Sequence, residues 1–289
     1  MSLRVSLREL EVFVAVCEEL TVTRAALRLA MTQSAASQSL ASLESALDTV
    51  LFDRVGRRLT ANEHGRLLLP KARAILDLGY EAQTLFSGSA AHLRLGASTT
   101  IANYLLPLQI ARFRASQPQV RLELTVGNTD EIVAAVAAFR VDIGFIEGPC
   151  HHPELKVQAW RDDELVVVVG AQHPFAGSAP SFKALAQAEW ILRETGSGTR
   201  QEVERLLLPR LGAFAVSMEM GDSEAIKHAV AAGLGVSCLP RRVVAGELAR
   251  GELIELAQPS MTRTLYLVMH RDKALTRGMA RFLDQLGPP

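Results

Sequence analysis

The stretch LRELEVFVAVCEELTVTRAALRLAMTQSAASQSLASLESALDTVLFDRVGRR, residues 7–58, decides the fold of the first part of this chain. Within it, apolar residues recur at helical spacing in three successive segments. The first segment covers residues 7–20, and the second covers residues 23–30, with Thr23 as its predicted N-cap. The third segment places four apolar residues on one face: Ala36, Leu40, Leu43 and Leu47. Two short helices joined by a tight turn predict a helix-turn-helix.

The third segment follows a turn that ends at Thr32, and it carries small polar side chains opposite its apolar face. Such side chains near the start of a helix can enter the major groove of DNA and bond the edges of bases. Glutamine can bond adenine through two hydrogen bonds, and serine or threonine suits several bases. We therefore predict that Thr32 caps this helix and touches a phosphate. The residues predicted to read bases are Gln33, Ser34, Ser37 and Gln38.

Basic residues flank the predicted reading helix. Arg24 lies in the segment before it, and three more follow it as a predicted wing: Arg54, Arg57 and Arg58. Contacts from such residues to phosphates fix the position of a protein on DNA without reading its sequence. Residues 1–90 contain ten basic and ten acidic residues, so binding would depend on charge placement and on pairing two domains. For a single helix of this kind, the alternative is a solvated face beside an ordinary basic turn.

The order and spacing of these features resemble the N-terminal domain of LysR-type transcriptional regulators. The shared features are the FVAV opening, the T-R-A-A second helix, the T-Q-S start of the third, the L-E step at residues 43–44 and the pattern LFDR…RRLT…G. The resemblance implies that residues 1–61 form a winged helix-turn-helix that binds double-stranded operator DNA, with RNA polymerase as a further partner. Many members carry Pro where Ser34 stands and Arg where Gln38 stands, so the resemblance does not supply the operator sequence.

Length and composition are typical of a globular protein with two domains. The chain has 289 residues, of which 48% are hydrophobic, and this is enough for more than one core. It contains neither an apolar run of about 18 residues, as a membrane span requires, nor the pattern of a secretory signal at its start. The cysteines are few, odd in number and far apart: Cys17, Cys150 and Cys238. We therefore expect a cytoplasmic protein without disulfides and without a membrane partner.

A long linker helix is predicted to follow the wing, over residues 62–89. Thr60-Ala61-Asn62-Glu63 is a capping-box pattern that would start it, and Ser-Gly-Ser at residues 87–89 would end it. Its apolar residues fall near the a and d spacing of a coiled coil: Leu68, Ile75, Leu78, Ala82 and Leu85. Such a stripe must be covered, and a second copy is the simplest partner, with packing on its own domain as the alternative. In LysR-type regulators this helix dimerises and tetramers are common, so the resemblance implies a homodimer or homotetramer.

From residue 90 onward the pattern changes to alternating strands and helices. Strands are predicted over residues 92–98, 120–126, 141–146, 164–169, 190–193, 235–240 and 265–270, and near Met218. Helices are predicted over residues 101–115 and 130–140, after Gly198, from Ser223 and at the end of the chain. Two α/β lobes in succession predict a ligand cleft at the carboxyl ends of the strands.

The family resemblance extends to this part of the chain and implies an effector-binding domain over residues 90–289. In LysR-type regulators this domain resembles type 2 periplasmic-binding proteins, in which the chain crosses twice between two lobes. Lobe 1 would then cover about residues 90–163 and 266–289, and lobe 2 about residues 164–265. The expected fold class is therefore α plus α/β: a winged helix-turn-helix, a long linker helix and a two-lobed α/β domain.

Segments rich in hydroxyl groups and glycine follow one strand of each lobe, where the strand gives way to a helix. Ser98-Thr99-Thr100 is the segment in lobe 1, and Thr-Gly-Ser-Gly-Thr at residues 195–199 is the segment in lobe 2. Helix N-termini carry unpaired N–H groups and favour anions; the alternative is that both segments are plain N-caps. The residues predicted to bind a small anion between the lobes are Ser98, Thr99, Thr100, Asn128, Thr129, Glu147, Thr195, Gly196, Ser197, Gly198 and Thr199.

Four segments narrow the resemblance to the sulfite-responsive regulators of sulfur assimilation and cysteine biosynthesis. They are STTIANYLLP, VDIGFIEGPCHHPEL, WILRETGSGTR and SEAIKHAVAAGLGVSCLP. This resemblance implies a sulfur oxyanion such as sulfite as the effector and sulfur-metabolism genes as the targets. Glu147 opposes a strongly anionic ligand unless its carboxyl group is protonated or held by a cation. The alternative is a regulator of unrelated genes with a small carboxylate or neutral effector.

No catalytic, metal or cofactor site is predicted. Cys-His-His at residues 150–152 could contact a metal, but adjacent residues rarely converge on one ion. Gly-Ser-Gly at residues 196–198 lacks the spacing of a hydrolase nucleophile elbow. A transport-type solute-binding protein would share the C-terminal fold, but it would need an export signal and would have no use for residues 1–86. We therefore expect a regulator and not an enzyme.

Overall fold

The computed structural model describes most of the chain, over residues 4–56, 58–84, 92–257 and 261–287. The chain divides into two compact units: residues 1–91 with 272–278, and residues 92–271 with 279–289. None of the helices within the described ranges is long and apolar enough to cross a membrane. Arg57, Leu85 and the predicted helix end at residues 87–89 lie outside the described residues.

The first unit contains the predicted winged helix-turn-helix. Its elements are α1 (Leu7–Glu19), α2 (Val22–Arg28), α3 (Gln33–Leu47), β1 (Phe52–Val55) and β2 (Arg58–Ala61). The strands β1 and β2 pair antiparallel, with Phe52 opposite Ala61. The three helices and β1 share one apolar core, which includes Phe13, Ala25, Ala36, Leu43 and Phe52. Leu47, predicted to lie on the apolar face of α3, is 38% exposed because it ends the helix beyond this core.

Capping residues set the starts of these helices. Ser6 and Glu9 form a capping box at α1, in which each side chain accepts a hydrogen bond from the backbone N–H of the other residue. Thr32 caps α3 as predicted, accepting a hydrogen bond from a first-turn N–H at 3.2 Å. The predicted N-cap of α2 is wrong: Thr23 lies inside the helix, and Thr21 is the cap. Thr21 is the last residue with extended backbone, so its hydroxyl reaches a free N–H of the first turn.

The long helix after the wing, α4, spans Glu63–Thr84. Its start differs from the predicted capping box, because Thr60 belongs to β2 and cannot cap the helix. The Asn62 side chain instead accepts a hydrogen bond from the N–H of Gly65 at 3.0 Å.

One face of α4 is covered and another is exposed. Ala72 is fully buried in the core of the first unit, so the helix packs in part on its own domain. On the other side, Ile75 and Leu78 are 46% and 58% exposed, and Ala82 is exposed as well. Leu68, predicted in the same stripe, is half-buried against the core. The exposed stripe is therefore shorter than predicted, but it keeps coiled-coil spacing from Ile75 to Ala82.

The second unit is built on one mixed sheet. Its strands are β3 (His92–Ser98), β4 (Arg121–Gly127), β5 (Ile143–Glu147), β6 (Leu155–Gly170), β7 (Glu189–Arg193), β8 (Ala215–Met220), β9 (Val236–Pro240), β10 (Leu253–Glu255) and β11 (Met261–His270). The strand order is β4-β3-β5-β11-β6-β9-β7-β8, and β10 pairs with β6. The helices are α5 (Thr99–Tyr104), α6 (Leu106–Ser116), α7 (Thr129–Ala137), α8 (Phe182–Ala186), α9 (Gly198–Leu211), α10 (Ser223–Ala231), α11 (Arg241–Arg250) and α12 (Arg277–Leu286).

The two longest strands, β6 and β11, join the two lobes. The parallel strands β3, β4 and β5 lie beyond β11 and belong to lobe 1. The strands β7, β8 and β9 lie beyond β6 and belong to lobe 2. The chain thus crosses between the lobes twice, and the β6–β11 pairing shifts register between Leu265 and Tyr266. The exact limits of the lobes stay a prediction.

Two elements differ from the predicted pattern. The helix predicted over residues 101–115 is two helices, α5 and α6, with a break at Leu105. Pro107 has no N–H to continue α5, but it fits the first turn of α6. The strand β6 begins well before residue 164, because its polar first half pairs with β11.

We predict that the exposed stripe of α4 pairs two copies of the chain. Leu78→Glu should weaken this association by at least ~3 kcal/mol, because the contact would bury unpaired carboxylates. Light scattering of the full chain would measure its mass in solution. Leu27→Glu is the control, since Leu27 is an 82% exposed leucine of α2 in the same unit and lies outside α4, and it should leave the mass unchanged. An unchanged mass for Leu78→Glu would show that this stripe is not the contact.

Candidate functional site

The polar face of α3 is open to solvent. The four residues predicted to read bases are all exposed: Gln33, Ser34, Ser37 and Gln38. The hydroxyl oxygen of Thr32 lies 3.1 Å from that of Ser34, which ties the cap to the start of this face. The apolar residues of α3 are buried in the core of the first unit. The polar face therefore has the exposure that entry into a DNA groove requires.

The basic side chains predicted to contact phosphates differ in their partners. Arg54 in β1 and Arg58 in β2 are exposed, as contacts to phosphates require. Arg24 is 73% exposed and forms an ion pair with Glu19 at 3.1 Å. Ion pairs at the surface are weak, so Arg24 can exchange Glu19 for a phosphate at little cost.

The second unit brings most of the residues predicted for the effector site together from both lobes. The buried ones lie at or just after the carboxyl ends of β3, β4, β5 and β7: Ser98, Thr100, Thr129, Glu147, Gly196, Ser197, Gly198 and Thr199. Thr99 and Asn128 are half-buried, and Thr195 is exposed. The two hydroxyl-rich segments therefore meet in a buried region to which both lobes contribute, and the ligand cleft there stays a prediction.

Glu147 is the residue at which these groups meet. Its carboxylate accepts hydrogen bonds from Ser98 Oγ at 2.8 Å, from the Thr199 hydroxyl and from Arg263 Nη1 at 2.7 Å. The Thr129 hydroxyl donates to the backbone carbonyl of Glu147 at 3.2 Å. Burial alone would raise the pKa of Glu147, but Arg263 and the two hydroxyl donors outweigh it and lower the pKa to about 2. Glu147 is therefore ionised and held by a cation.

These contacts change the roles of two predicted hydroxyl groups. Ser98 and Thr199 both donate to Glu147, and Thr199 Oγ1 also accepts from Arg263 Nη1 at 2.9 Å. Their hydrogens are therefore committed to the protein in this structure and are not directed at a ligand. The Thr199 hydroxyl instead joins lobe 2 to lobe 1 through Glu147, and the Ser98 hydroxyl holds Glu147 from within lobe 1.

Two glycines allow the lobes to approach each other closely. A Cβ atom at residue 198 would lie 1.8 Å from the carbonyl oxygen of Glu147, so only glycine fits there. Gly196 has a φ of +90°, and its carbonyl oxygen accepts from the N–H of Asp130 at 3.2 Å. Both glycines serve the contact between the lobes.

A buried charge network that the sequence analysis did not identify supports Glu147. Arg263 Nε and Nη2 donate to Asp163 Oδ2 at 2.9 and 2.7 Å. Arg242 Nε donates to the other oxygen, Asp163 Oδ1, at 2.6 Å. Two carboxylates and two guanidinium groups thus neutralise one another inside the domain. The sequence contained a signal for this network, because Arg263 occupies a position of β11 that the alternation of the strand predicts to be buried.

Arg193 is a second buried cation that the sequence analysis assigned only to a strand. It ends β7, and its Nη1 donates to Thr99 Oγ1 at 3.1 Å and to Ser223 Oγ at 3.0 Å. Arg193 thus bridges α5 of lobe 1 and α10 of lobe 2. Thr100, the next residue of α5, has a buried hydroxyl without a hydrogen-bond partner among the described residues. Since nearly all buried hydroxyls are hydrogen-bonded, Thr100 retains capacity for a ligand.

Other predicted site residues have roles in the fold. Ser197 caps α9, accepting from the N–H of Arg200 at 3.4 Å. Asn128 caps α7 in a capping box with Glu131. For Ser197 this is the plain N-cap that the sequence left open as an alternative, whereas the capping role of Asn128 was not predicted. In the part of the chain that the structure describes, no group of three or more His, Cys, Asp or Glu side chains is arranged to hold a metal ion.

The contacts of Glu147 predict a pH-dependent stability. Its pKa falls from an ordinary value of 4.5 to about 2, so its contribution is complete above about pH 5 and is lost as the pH falls towards 2. Glu147→Gln should lower the free energy of unfolding by ~3–5 kcal/mol at neutral pH, because Arg263 loses a buried partner. This deficit should shrink as the pH falls below about 4.5, as urea unfolding at several pH values would measure.

Glu252→Gln is the matched control for this measurement. Glu252 also pairs with an arginine, Arg250, but on the surface, so its loss should change stability little at any pH. A deficit for Glu147→Gln that is as large at about pH 3 as at about pH 7 would contradict the lowered pKa.

Comparison with known proteins matches two families to two parts of the chain, one for the helix-turn-helix region and one for the region that follows it. Residues 7–66 match the family described as "Bacterial regulatory helix-turn-helix protein, lysR family". Residues 87–288 match the family described as "LysR substrate binding domain". Together the two matches cover nearly the whole chain.

Individual proteins agree with these families. YeiE of Escherichia coli K12, an uncharacterized HTH-type transcriptional regulator, is 49% identical over 99% of this chain and 98% of its own. The CcmR regulatory domain of Synechocystis PCC6803, solved in complex with 2-PG, is 32% identical with a TM-score of 0.62, over 68% of this chain and 95% of that one. A full-length OxyR from Pseudomonas aeruginosa shares the fold, with a TM-score of 0.74 at 24% identity over 99% of this chain and 94% of its own. The chain therefore belongs to the LysR family of ligand-responsive, DNA-binding transcriptional regulators.

Proposed function

We propose that this regulator responds to a small oxyanion, with sulfite as the first candidate, and controls genes of sulfur metabolism in the cytoplasm. The observation that carries the proposal is the Thr100 hydroxyl, which is buried and has no hydrogen-bond partner among the described residues. It lies in the first turn of α5, next to the contact of Thr99 with Arg193. An oxygen of a small oxyanion would accept the missing hydrogen bond.

The charges inside the domain are compatible with an anion. Glu147 and Asp163 are balanced by Arg263 and Arg242, so their network carries no net charge. A lone ionised Glu147 would have repelled an anion, whereas a neutral network does not. Glu147 taken alone disfavours an anionic effector. Because its charge is balanced, Glu147 no longer counts against such an effector.

The choice of sulfite rests on sequence resemblance. The four segments that resemble sulfite-responsive regulators contain elements from both lobes. STTIANYLLP contains α5, VDIGFIEGPCHHPEL contains β5, WILRETGSGTR joins β7 to α9, and SEAIKHAVAAGLGVSCLP contains α10 and β9. The resemblance therefore falls on the segments that supply Ser98, Glu147, Arg193 and Ser223 to the cleft.

A different effector is the second candidate. The regulatory domain of CcmR was solved in complex with 2-PG, and a LysR-type regulator with a small carboxylate or neutral effector would control unrelated genes. This candidate keeps the same cleft and changes only the ligand. A solute-binding protein finds no support, because residues 7–66 match a helix-turn-helix family.

We assign the DNA contacts to a domain of residues 1–61. Base reading is assigned to Gln33, Ser34, Ser37 and Gln38, and phosphate contacts to Arg24, Thr32, Arg54, Arg57 and Arg58. The exposure of the described members of both sets supports this assignment. Arg57 lies outside the described residues.

We assign assembly to the rest of the chain. Residues 62–89 would link and dimerise two copies, and the effector domains of residues 90–289 would join dimers into a tetramer. The exposed stripe of α4 supports the dimer contact. RNA polymerase is the further partner proposed at the promoter.

A base contact and a phosphate contact should respond differently to substitution. Gln33→Ala should weaken binding to an operator selected from random duplexes by ~1–3 kcal/mol and leave non-specific binding almost unchanged. Arg58→Ala should weaken binding to every duplex and flatten its salt dependence. Fluorescence anisotropy at several salt concentrations would measure both effects. Equal losses on operator and random DNA for Gln33→Ala would remove Gln33 from the base-reading residues.

The effector proposal predicts a specific loss for Thr100→Val, which keeps the shape of the side chain and removes its hydroxyl. Sulfite binding should weaken by ~1.5–3 kcal/mol, or at least about tenfold, while folding and DNA binding persist. Thermal shifts with sulfite, sulfate, thiosulfate and small carboxylates would measure binding. A ligand at one hundred times its dissociation constant should add about 2.7 kcal/mol to the stability of the parent chain.

Thr125→Val is the matched control, since Thr125 is an exposed threonine of β4, and it should bind sulfite as the parent does. Binding by Thr100→Val that equals the parent's would exclude Thr100 from the site. If no oxyanion raises the unfolding temperature of the parent chain but a carboxylate does, the small-carboxylate effector replaces sulfite as the candidate.

A further inference from the structure

The guanidinium group of Arg193 donates hydrogen bonds where the two lobes meet. Its Nη1 atom donates to Thr99 Oγ1 in α5 at 3.1 Å and to Ser223 Oγ in α10 at 3.0 Å. Both hydroxyls lie in the first turns of their helices. Because the Arg193 side chain is only 3% exposed, these contacts fix the direction in which the rest of the guanidinium group points.

The other edge of this guanidinium group, formed by Nε and Nη2, is the fork of Arg193. It binds the carboxylate of the next residue, Glu194. Arg193 Nε donates to Glu194 Oε2 at 2.7 Å, and Nη2 donates to Glu194 Oε1 at 2.9 Å. Two parallel N–H···O bonds are also the way in which guanidinium groups bind phosphate and similar oxyanions. Glu194 therefore presents two oxygens to the fork in the arrangement that two oxygens of an oxyanion would adopt.

Glu194 differs from the other carboxylates near the cleft in its access to water. Its side chain is 23% exposed, whereas those of Glu147 and Asp163 are 2% and 1% exposed. Taking either buried carboxylate from Arg263 would leave an unpaired charge in the interior. Glu194 can instead turn towards solvent, where water replaces the hydrogen bonds that it loses.

We propose that Glu194 occupies the fork of Arg193 as an internal competitor, and that a small oxyanion effector displaces it. The inference rests on the proposed function of the cleft and names the cation that binds the effector. Two oxygens of the oxyanion accept hydrogen bonds from Nε and Nη2, while Nη1 keeps its contacts with Thr99 and Ser223. The displaced carboxylate moves into water, so the guanidinium group is paired before and after the exchange.

An internal competitor also sets the selectivity of the site. A ligand replaces the carboxylate only if it satisfies both donors of the fork. Anions with two oxygens on one central atom, which include sulfite and small carboxylates, meet this requirement, whereas chloride and neutral ligands do not. The chemical class of effector that fits Arg193 is therefore a small oxygen anion, with sulfite as the first candidate.

Glu194→Gln tests the proposal in the full chain, with sodium sulfite as the probe in isothermal titration calorimetry. Removing the charge of the competitor should lower the dissociation constant for sulfite by about 3- to 10-fold. Arg193→Lys should raise it at least ~10-fold, because lysine lacks the two-pronged fork. Glu255→Gln is the matched control: Glu255 also pairs with an arginine, Arg241, in lobe 2, and its loss should leave the affinity unchanged.

Each outcome decides the proposal. Unchanged or weaker sulfite binding by Glu194→Gln overturns it, and so does parental affinity in a folded Arg193→Lys chain. If thermal unfolding shows that Arg193→Lys does not fold, the result for Glu194→Gln decides alone. Sulfite binding by the parent upholds the proposed effector class even when both variants bind as the parent does. An absence of binding by the parent to any oxyanion rejects the effector class and this inference together.

Discussion

The burial of Glu147 is the constraint on which the second unit depends. An ionised carboxylate that is only 1% exposed needs a cation and hydrogen-bond donors, since removing it from water is costly. Arg263 supplies the cation, and Asp163 holds the other edge of Arg263. Arg263 and Asp163 lie opposite each other in the pairing of β11 with β6. The burial of Glu147 thus requires an ion pair that also links β11 to β6, the two strands that cross between the lobes.

The same constraint limits what the cleft can bind. Because Ser98 and Thr199 donate to Glu147, a ligand must find other donors. Among the side chains that the structure describes in this region, the Thr100 hydroxyl has no hydrogen-bond partner, and the fork of Arg193 is the donor pair that we propose to be exchangeable. The expected anion contacts therefore move from the Thr-Gly-Ser-Gly-Thr segment towards α5 and the end of β7. In this LysR-type regulator, the network of Glu147, Asp163, Arg263 and Arg242 carries no net charge, and the proposed exchange is confined to the partly exposed pair of Arg193 and Glu194.

Local periodicity predicted most elements of the fold, because spacing along the chain reports which face is buried. It placed the strand at residues 92–98 correctly and identified the polar face of α3. It could not identify the charge network, since Arg263 and Asp163 are 100 residues apart and meet only through strand pairing. The cap at Thr21 was missed for another reason: two threonines precede or begin α2, and only the backbone conformation selects one. The contacts of Arg193 were not predictable from local spacing either, because its partners Thr99 and Ser223 lie in two helices that are distant in sequence.

Gly198 has a consequence for protein engineering. Any side chain at this position would collide with the carbonyl group of Glu147, so the position must stay glycine whichever ligand the cleft accepts. A biosensor built on this chain would therefore keep the residues that join the lobes and randomise those with free hydrogen-bonding capacity, such as Thr100. Gly198 belongs to the contact between the lobes, whereas Thr100 is a proposed effector contact without a partner of its own, so Thr100 can be varied without changing the contact at Gly198.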